Sequence, residues 1–324
     1  MDLGLRIGLE IEILLEHHRK KKQKFRDLER FAQYLVAHFH AARPPRPRVH
    51  NDIDGMYEGA DDNEEWSLTD DATIKPDHRE QRPIELVAPI LYYHDRSHWR
   101  DDVRHMFKAL NLICQVQTNQ SCAVHIHISP PRGSTWNICT LKMICRCILH
   151  FEGAINAIVP HHRRGNPENE RERLRLVELC KNHVEIADLM NDNGKRYFAW
   201  NFTNLYYGGK YTIEFRQAPG ATDETACLPW VEFIASFINS CKMVASDRTI
   251  GPFSRDVQGL RRFPTHFQLA GFNRGILESL FRGKSGYIAH SPMRELTMAE
   301  EEELRSKESK EGRKSQVMRK LDSM

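Results

Sequence analysis

The chain has 324 residues, 40% of them hydrophobic, which is enough to bury a large core in one domain or two. Its 47 lysines and arginines nearly balance 44 aspartates and glutamates, so that the formal net charge is +3 at pH 7. So small an excess means that the net charge alone does not indicate nucleic-acid binding. No stretch approaches the roughly 20 apolar residues of a membrane span. We therefore expect no nucleic-acid and no membrane partner.

The cysteines and the first residues indicate a location. Eight cysteines are spread over the chain without a CxxC pair, mostly among apolar neighbours at helical spacing. The opening MDLGLRIGLEIEI lacks the basic segment and uninterrupted apolar run of a secretion signal. These features predict a cytoplasmic protein with reduced cysteines.

Periodicity divides the chain into strands, which alternate apolar and polar residues, and helices, which repeat apolar residues every three or four. The predicted strands cover residues 5–15, 66–74, 83–91, 122–129, 198–207 and 210–218. The predicted helices cover residues 19–40, 98–117, 135–159, 167–191, 222–246 and 265–282. Residues 41–65, rich in Pro, Gly and acids, should form an irregular connection or flap. Without a repeat or linker, we expect one catalytic domain at 1–293 and a charged, frayed tail at 294–324.

Four of the predicted strands carry ionisable residues on one face and aliphatic residues on the other. LEIEI, PIELVAP, CAVHIHIS and TIEFR all show this alternation. The residues on the ionisable face are Glu10, Glu12, Glu85, His125, His127, Glu214 and Arg216. A solvated face would mix Lys, Ser, Thr and Gln with Glu, whereas this set holds four Glu, two His, one Arg and no Lys. The composition favours a functional cluster over a wet sheet face.

Such a cluster needs cations. Two carboxylates about 4 Å apart repel by roughly 4 kcal/mol at an effective dielectric near 20. Carboxylates with one or two imidazoles suit Mg²⁺ or Mn²⁺, which usually also hold phosphate oxygens. Zn²⁺ or Fe²⁺ held by His125 and His127 is the alternative, as in a metal-dependent hydrolase or oxygenase.

Six segments resemble, in order, the motifs of the amidoligase family, relatives of glutamate-cysteine ligase and glutamine synthetase in the carboxylate-amine ligase superfamily. The segments are GLEIE, WSLTDDAT, IELVAP, SCAVHIHIS, RYFAWNFTNL and TIEFRQAPGATD, within residues 4–245. The resemblance implies an α+β fold like the glutamine synthetase catalytic domain, with a curved antiparallel sheet flanked by helices. It implies ATP and Mg²⁺, or Mn²⁺, on the concave face. Ala123 and Thr73 stand where the family commonly has Gly and Ser.

The resemblance also implies roles for individual residues. The implied metal ligands are Glu10, Glu12, Glu85, His125 and Glu214. The implied nucleotide-side or substrate-side groups are His125, His127, Arg196 and Asn201. Arg216 would steady the transferring phosphoryl group, and Asp71 or Glu85 would take a proton from the amine.

These roles describe an ATP-dependent ligase that joins a small-molecule or peptide carboxylate to an amine through an acyl phosphate. Closure would keep water out, and the flap at 57–65 or the basic segment at 161–165 (HHRRG) is expected to contribute. A catalytically inactive nucleotide-binding scaffold is the remaining alternative, and the sequence does not specify the oligomeric state.

Overall fold

The described residues of the computed structural model build an open, nine-stranded sheet with helices packed against it. The structure describes residues 4–18, 25–41, 47–55, 57, 64–164, 170–191, 194, 198–206, 211–244, 247–267 and 270–288. The strands are β1 (Leu5–His17), β2 (Val49–Asn51), β3 (Trp66–Thr69), β4 (Arg82–Val87), β5 (Leu91–Tyr93), β6 (Cys114–Gln117), β7 (Ala123–Ser129), β8 (Trp200–Asn201) and β9 (Ile213–Pro219). The helices are α1 (Leu28–Ala41), α2 (Trp99–Ile113), α3 (Ile138–Ile158), α4 (Glu170–Leu179), α5 (His183–Met190), α6 (Glu224–Cys241), α7 (Asp247–Ile250), α8 (Val257–His266) and α9 (Arg274–Phe281).

Strand β1 lies at the centre of the sheet and pairs with four others. β4 and β5 share one of its edges, and β6 and β7 share the other. The order along the sheet is β2-β3-β4-β1-β7-β9-β8, antiparallel throughout except for the parallel pair β2 and β3. This position explains why both faces of β1 are buried over most of its length.

The aliphatic face of the sheet forms the core with the helices. Every second residue of β1 is 0–1% exposed, and the matching residues of β7 and β9 join the same cluster. Helix α6 packs behind these strands, where Trp230 stacks on Phe215 and Phe237 contacts Trp200. The ionisable residues are thereby left on the opposite face, supported by a rigid sheet.

The predicted α+β class with an antiparallel sheet flanked by helices is confirmed, whereas the likeness to glutamine synthetase stays a prediction. The helix predicted at 98–117 is too long, because it ends at Ile113 and residues 114–117 form β6 beside β1. The connection predicted at 41–65 contains a strand, β2. Of the strand predicted at 198–207, only Trp200–Asn201 is a strand, and a 3-10 turn follows at Thr203–Leu205.

Two predicted helices are each interrupted by an N-cap. Within 167–191, Asn182 accepts a hydrogen bond from the Glu185 backbone N–H, and the Glu185 carboxylate accepts one from the Lys181 N–H. This arrangement begins a new helix, α5. Within 265–282, Asn273 caps α9 after Gly271 adopts a φ of +78°.

The predicted start of the first helix and the tail from 289 lie outside the described residues. All eight cysteines are free thiols, and all but Cys139 are buried. None of the helices within the described ranges is long and apolar enough to cross a membrane.

Candidate functional site

Strand register brings the predicted acids and imidazoles of four strands together on one face. Directly paired residues point to the same side of a sheet. Three cross-strand pairs hold all six: Glu12 with Glu85, Glu10 with His125, and His127 with Glu214. Each of the six is at most 9% exposed, which rules out a solvent-facing sheet surface.

The His125 ring lies between two groups of carboxylates. Its Nδ1 is 3.2 Å from Glu10 Oε2 and 3.8 Å from Glu214 Oε1, while its Nε2 is 3.8 Å from Glu12 Oε1. The groups Glu10–His125–Glu214 and Glu12–Glu85–His125 each offer three ligand atoms that all lie within 4.8 Å of one another. Both therefore match the predicted metal ligands.

The Glu10–Glu214 group is already compensated by protein cations and donors. Arg216 donates to Glu214 Oε1, Asn201 Nδ2 donates to Glu214 Oε2 at 2.7 Å, and His127 Nε2 is 3.4 Å from Glu10 Oε2. Burial would raise the pKa of Glu10, but the His127 and His125 imidazoles outweigh it and hold that pKa well below its ordinary value. Burial would also raise the pKa of Glu214, but the Arg216 guanidinium and the His127 imidazole outweigh burial and lower that pKa.

The Glu12–Glu85 group lacks such compensation. Burial raises the pKa of Glu12 to about 8, and the Asp71 carboxylate acts in the same direction. Burial, followed by Glu10 and Asp71, holds the pKa of Glu85 well above its ordinary range. Among the described residues, no ion pair joins Glu12 or Glu85 to a lysine or arginine. Two buried carboxylates without a cation form a chemically reasonable position for a divalent ion.

A β-bulge on β9 directs two consecutive polar side chains away from the core. Val124 pairs with Ala218 and Ile126 with Phe215, so that one residue of β7 faces two of β9, Arg216 and Gln217. Beyond the bulge Ala218 resumes the core face, and Gln217 Nε2 donates to Asn156 Oδ1 at 3.2 Å. Bulges of this kind redirect side chains beside functional sites.

A cavity of about 410 Å³ opens beside the Glu12–Glu85 group. Glu12 and His125 form part of its wall, and the remaining lining is mostly basic or polar. The remaining lining residues are Thr73, Lys75, Gln120, Ser121, His162, Arg163, Arg164, Phe198, Ala199, Arg216 and Gln217. A pocket with carboxylates on one part of its wall and cations on another suits a metal-bound anionic ligand such as a polyphosphate.

Other predicted site residues take different positions. Asp71 follows β3, is half-buried, and accepts a hydrogen bond from the Thr73 N–H at 2.6 Å. Asn201 does not line the cavity, since its amide oxygen accepts from the Thr203 N–H and its nitrogen binds Glu214. Arg196 lies outside the described residues, as does most of the predicted flap.

Sequence patterns did not single out several cavity residues. Lys75, Gln120 and Ser121 lie in the loops that join strands, where periodicity is uninformative. The basic segment was expected to help close the site, and three of its residues, at 162–164, do line the cavity. The sequence does contain a sign of Gln217, because FRQA places two consecutive polar residues between apolar ones, and this break in the alternation indicates a bulge.

The comparisons agree with this geometry. The family described as "putative amidoligase enzyme" matches residues 3–238, which include every strand of the sheet. A search of curated proteins gave no match. Because the family match covers more than half of the chain and contains the whole carboxylate cluster, the protein belongs to this amidoligase family, and its membership suggests a ligase that forms amide bonds.

Proposed function

We propose that the protein is an ATP-dependent ligase that joins a small-molecule or peptide carboxylate to an amine through an acyl phosphate. The observation that carries this proposal is the buried cluster of four glutamates and two histidines beside a cavity with a basic wall. Family membership supports amide-bond formation, and the cluster supports a metal-dependent use of phosphate.

The residues present fit a magnesium or manganese ion. Glu12, Glu85 and His125 would hold one ion, and Glu10 and Glu214 would hold another. Divalent ions in this position would neutralise the nucleotide phosphates and the charge that develops on the transferred phosphoryl group. The pKa of Glu12 stays raised although Arg216 and Arg163 act to lower it, and this is the property expected of a metal ligand without its metal.

The chain's own groups account for positioning and proton transfer. In the first half-reaction a substrate carboxylate oxygen attacks the γ-phosphorus of ATP, and ADP leaves. Arg216, held on the β9 bulge, supplies fixed positive charge for the phosphoryl oxygens. The burial of this face protects the acyl phosphate from hydrolysis.

In the second half-reaction the amine nitrogen attacks the acyl carbon and inorganic phosphate leaves. An ammonium must first lose a proton, and Asp71 would accept it, since its carboxylate acts electrostatically on Glu12 and Glu85 and is not itself among the ligand groups. Its bond to the Thr73 N–H fixes one carboxylate oxygen and leaves the other available.

The alternatives receive less support. A hydrolase or oxygenase would use both imidazoles as ligands, but neither ligand group in the described residues contains His127. An inactive scaffold shares the same geometry and differs only in turnover.

The test is ADP and phosphate release over a panel of carboxylates and amines. We expect release that requires both substrates and Mg²⁺, with turnover lost in Glu12→Gln and Arg216→Ala. Glu29→Gln, an exposed carboxylate on α1, is the matched control. Binding of Mg-ATP without release over the whole panel would favour the inactive scaffold, and nucleotide-independent activity with Zn²⁺ or Fe²⁺ would favour the hydrolase.

A further inference from the structure

The described cations of the cavity wall differ in how they are held. Arg164 is exposed, and its Nε donates to the Asn156 backbone carbonyl. Arg163 is half-buried, and its Nη2 donates to the backbone carbonyl of Arg216 at 2.5 Å. The second bond ties the 161–163 turn to the bulge that carries the other guanidinium.

Arg163 keeps donors for a ligand. Its Nε is buried and has no hydrogen-bond partner within the part of the chain that the structure describes. A ligand does not reach this buried atom, but Nη1 is not among the buried atoms and also makes no hydrogen bond within the described residues. Because Arg163 lines the cavity, an anionic ligand bound there would accept a hydrogen bond from Nη1.

The electrostatic surroundings agree with this position. Burial lowers the pKa of Arg163, and the nearby Glu12 carboxylate raises it. This effect of Glu12 shows that Arg163 lies close enough to the Glu12–Glu85 group to interact with it electrostatically. Arg216 acts on both Glu12 and Arg163. The two guanidiniums are held near each other without a carboxylate that pairs with Arg163 in the described residues.

We propose that Arg163 is a further catalytic residue, a second guanidinium that contacts the phosphates of the bound nucleotide together with Arg216. The inference rests on the proposed function, since it takes the cavity ligand to be a metal-bound polyphosphate. The hydrogen bond from Arg163 to the Arg216 backbone carbonyl holds the two guanidinium groups in a fixed arrangement. Together they present several N–H donors, which suits the negative charge distributed over phosphoryl oxygens.

The first arm of the test measures binding of inorganic tripolyphosphate with Mg²⁺ by calorimetry. Arg163→Ala should weaken binding roughly 10- to 100-fold, the usual effect of losing a charge-assisted hydrogen bond. Arg164→Ala, in the same turn, should stay within about fivefold of the wild type. Arg262→Ala removes an exposed arginine on α8 and should change nothing.

The second arm separates contact with the ligand from support of the bulge. Arg163→Lys keeps the charge and a donor for the Arg216 carbonyl but loses the fork, so binding and turnover should fall between those of the wild type and Arg163→Ala. Added guanidinium chloride at low millimolar concentration should restore part of the loss in Arg163→Ala, whereas sodium chloride at the same concentration should not. A purely structural role would not show this rescue.

The outcomes distinguish the two proposals. If the wild type binds tripolyphosphate and releases ADP while Arg163→Ala matches it, the role of Arg163 is refuted and the ligase proposal stands. If Arg163→Ala binds weakly and is rescued but no acid and amine support ADP release, the phosphate contact stands and the ligase proposal fails. A wild type that binds no tripolyphosphate with Mg²⁺ and releases no ADP from ATP overturns both.

Discussion

The charge imbalance at Glu12 makes the stability of the metal-free protein depend on pH. Glu12 is 2% exposed, and its pKa of about 8 compares with an ordinary value of 4.5. Between these values the folded state binds more protons than the unfolded state, so the free energy of unfolding must fall as pH rises from about 4.5 to 8. A difference of roughly 3.5 pH units corresponds to about 5 kcal/mol at 1.36 kcal/mol per unit, as an upper bound.

The substitution Glu12→Gln removes this dependence. With a chelator present, the variant should equal the wild type near pH 4.5 and exceed it by several kcal/mol at pH 8, measured by urea unfolding at both pH values. Adding Mg²⁺ at pH 8 should raise the free energy of unfolding of the wild type more than that of Glu12→Gln, which keeps only the Glu10–Glu214 ligands intact. Glu29→Gln should follow the wild type throughout. A difference between wild type and Glu12→Gln that does not vary with pH would refute the argument.

Three further predictions concern the surrounding structure. Arg100→Met should lower the free energy of unfolding by about 3–5 kcal/mol, because it leaves the fully buried Glu232 carboxylate without its cation. The double variant Arg100→Met with Glu232→Gln should recover part of that loss in the same unfolding assay. Gly153→Ala gains about 1 kcal/mol of helix propensity on α3, but its Cβ would lie 2.2 Å from the ring of Tyr287, a side chain that is 42% exposed and can turn aside. The substitution should therefore be less favourable in the wild type than in Tyr287→Ala, and equal effects in the two backgrounds would contradict this contact. Asn201→Ala removes a donor to Glu214 and the acceptor of the Thr203 N–H, so it should weaken Mn²⁺ binding roughly 10- to 100-fold and also lower the thermal midpoint, whereas unchanged affinity would show that this amide does not orient Glu214.

The sequence predicted which ionisable residues share a sheet face better than it predicted the boundaries of the elements around them. Alternation placed Glu10, Glu12 and Glu85 on one face because a period of two leaves little freedom once the other face is buried. Register then decided which strand each acid meets, and this depends on pairing between residues up to 123 positions apart, as for Arg6 and Ser129, which a local pattern does not contain.

The predicted boundaries of helices and strands were wrong where local hydrogen bonds override the periodic pattern. Asn182 and Asn273 each begin a helix inside a run of helical spacing, because an N-cap satisfies backbone donors that the periodic pattern does not count. Residues 114–117 continue the apolar spacing of α2 but gain a strand partner in β1. The β9 bulge is a similar case, since one extra residue reverses which side chains face the core.

The central claim is that divalent ions neutralise the buried carboxylates. The most direct measurement is a crystal structure grown with Mn²⁺ and ADP, with anomalous scattering used to locate the metal. The account predicts an anomalous peak bonded to Glu12, Glu85 and His125, with the nucleotide phosphates in the adjoining cavity. A well-occupied nucleotide without an anomalous peak at these residues, or a metal bound elsewhere in the molecule, would contradict it.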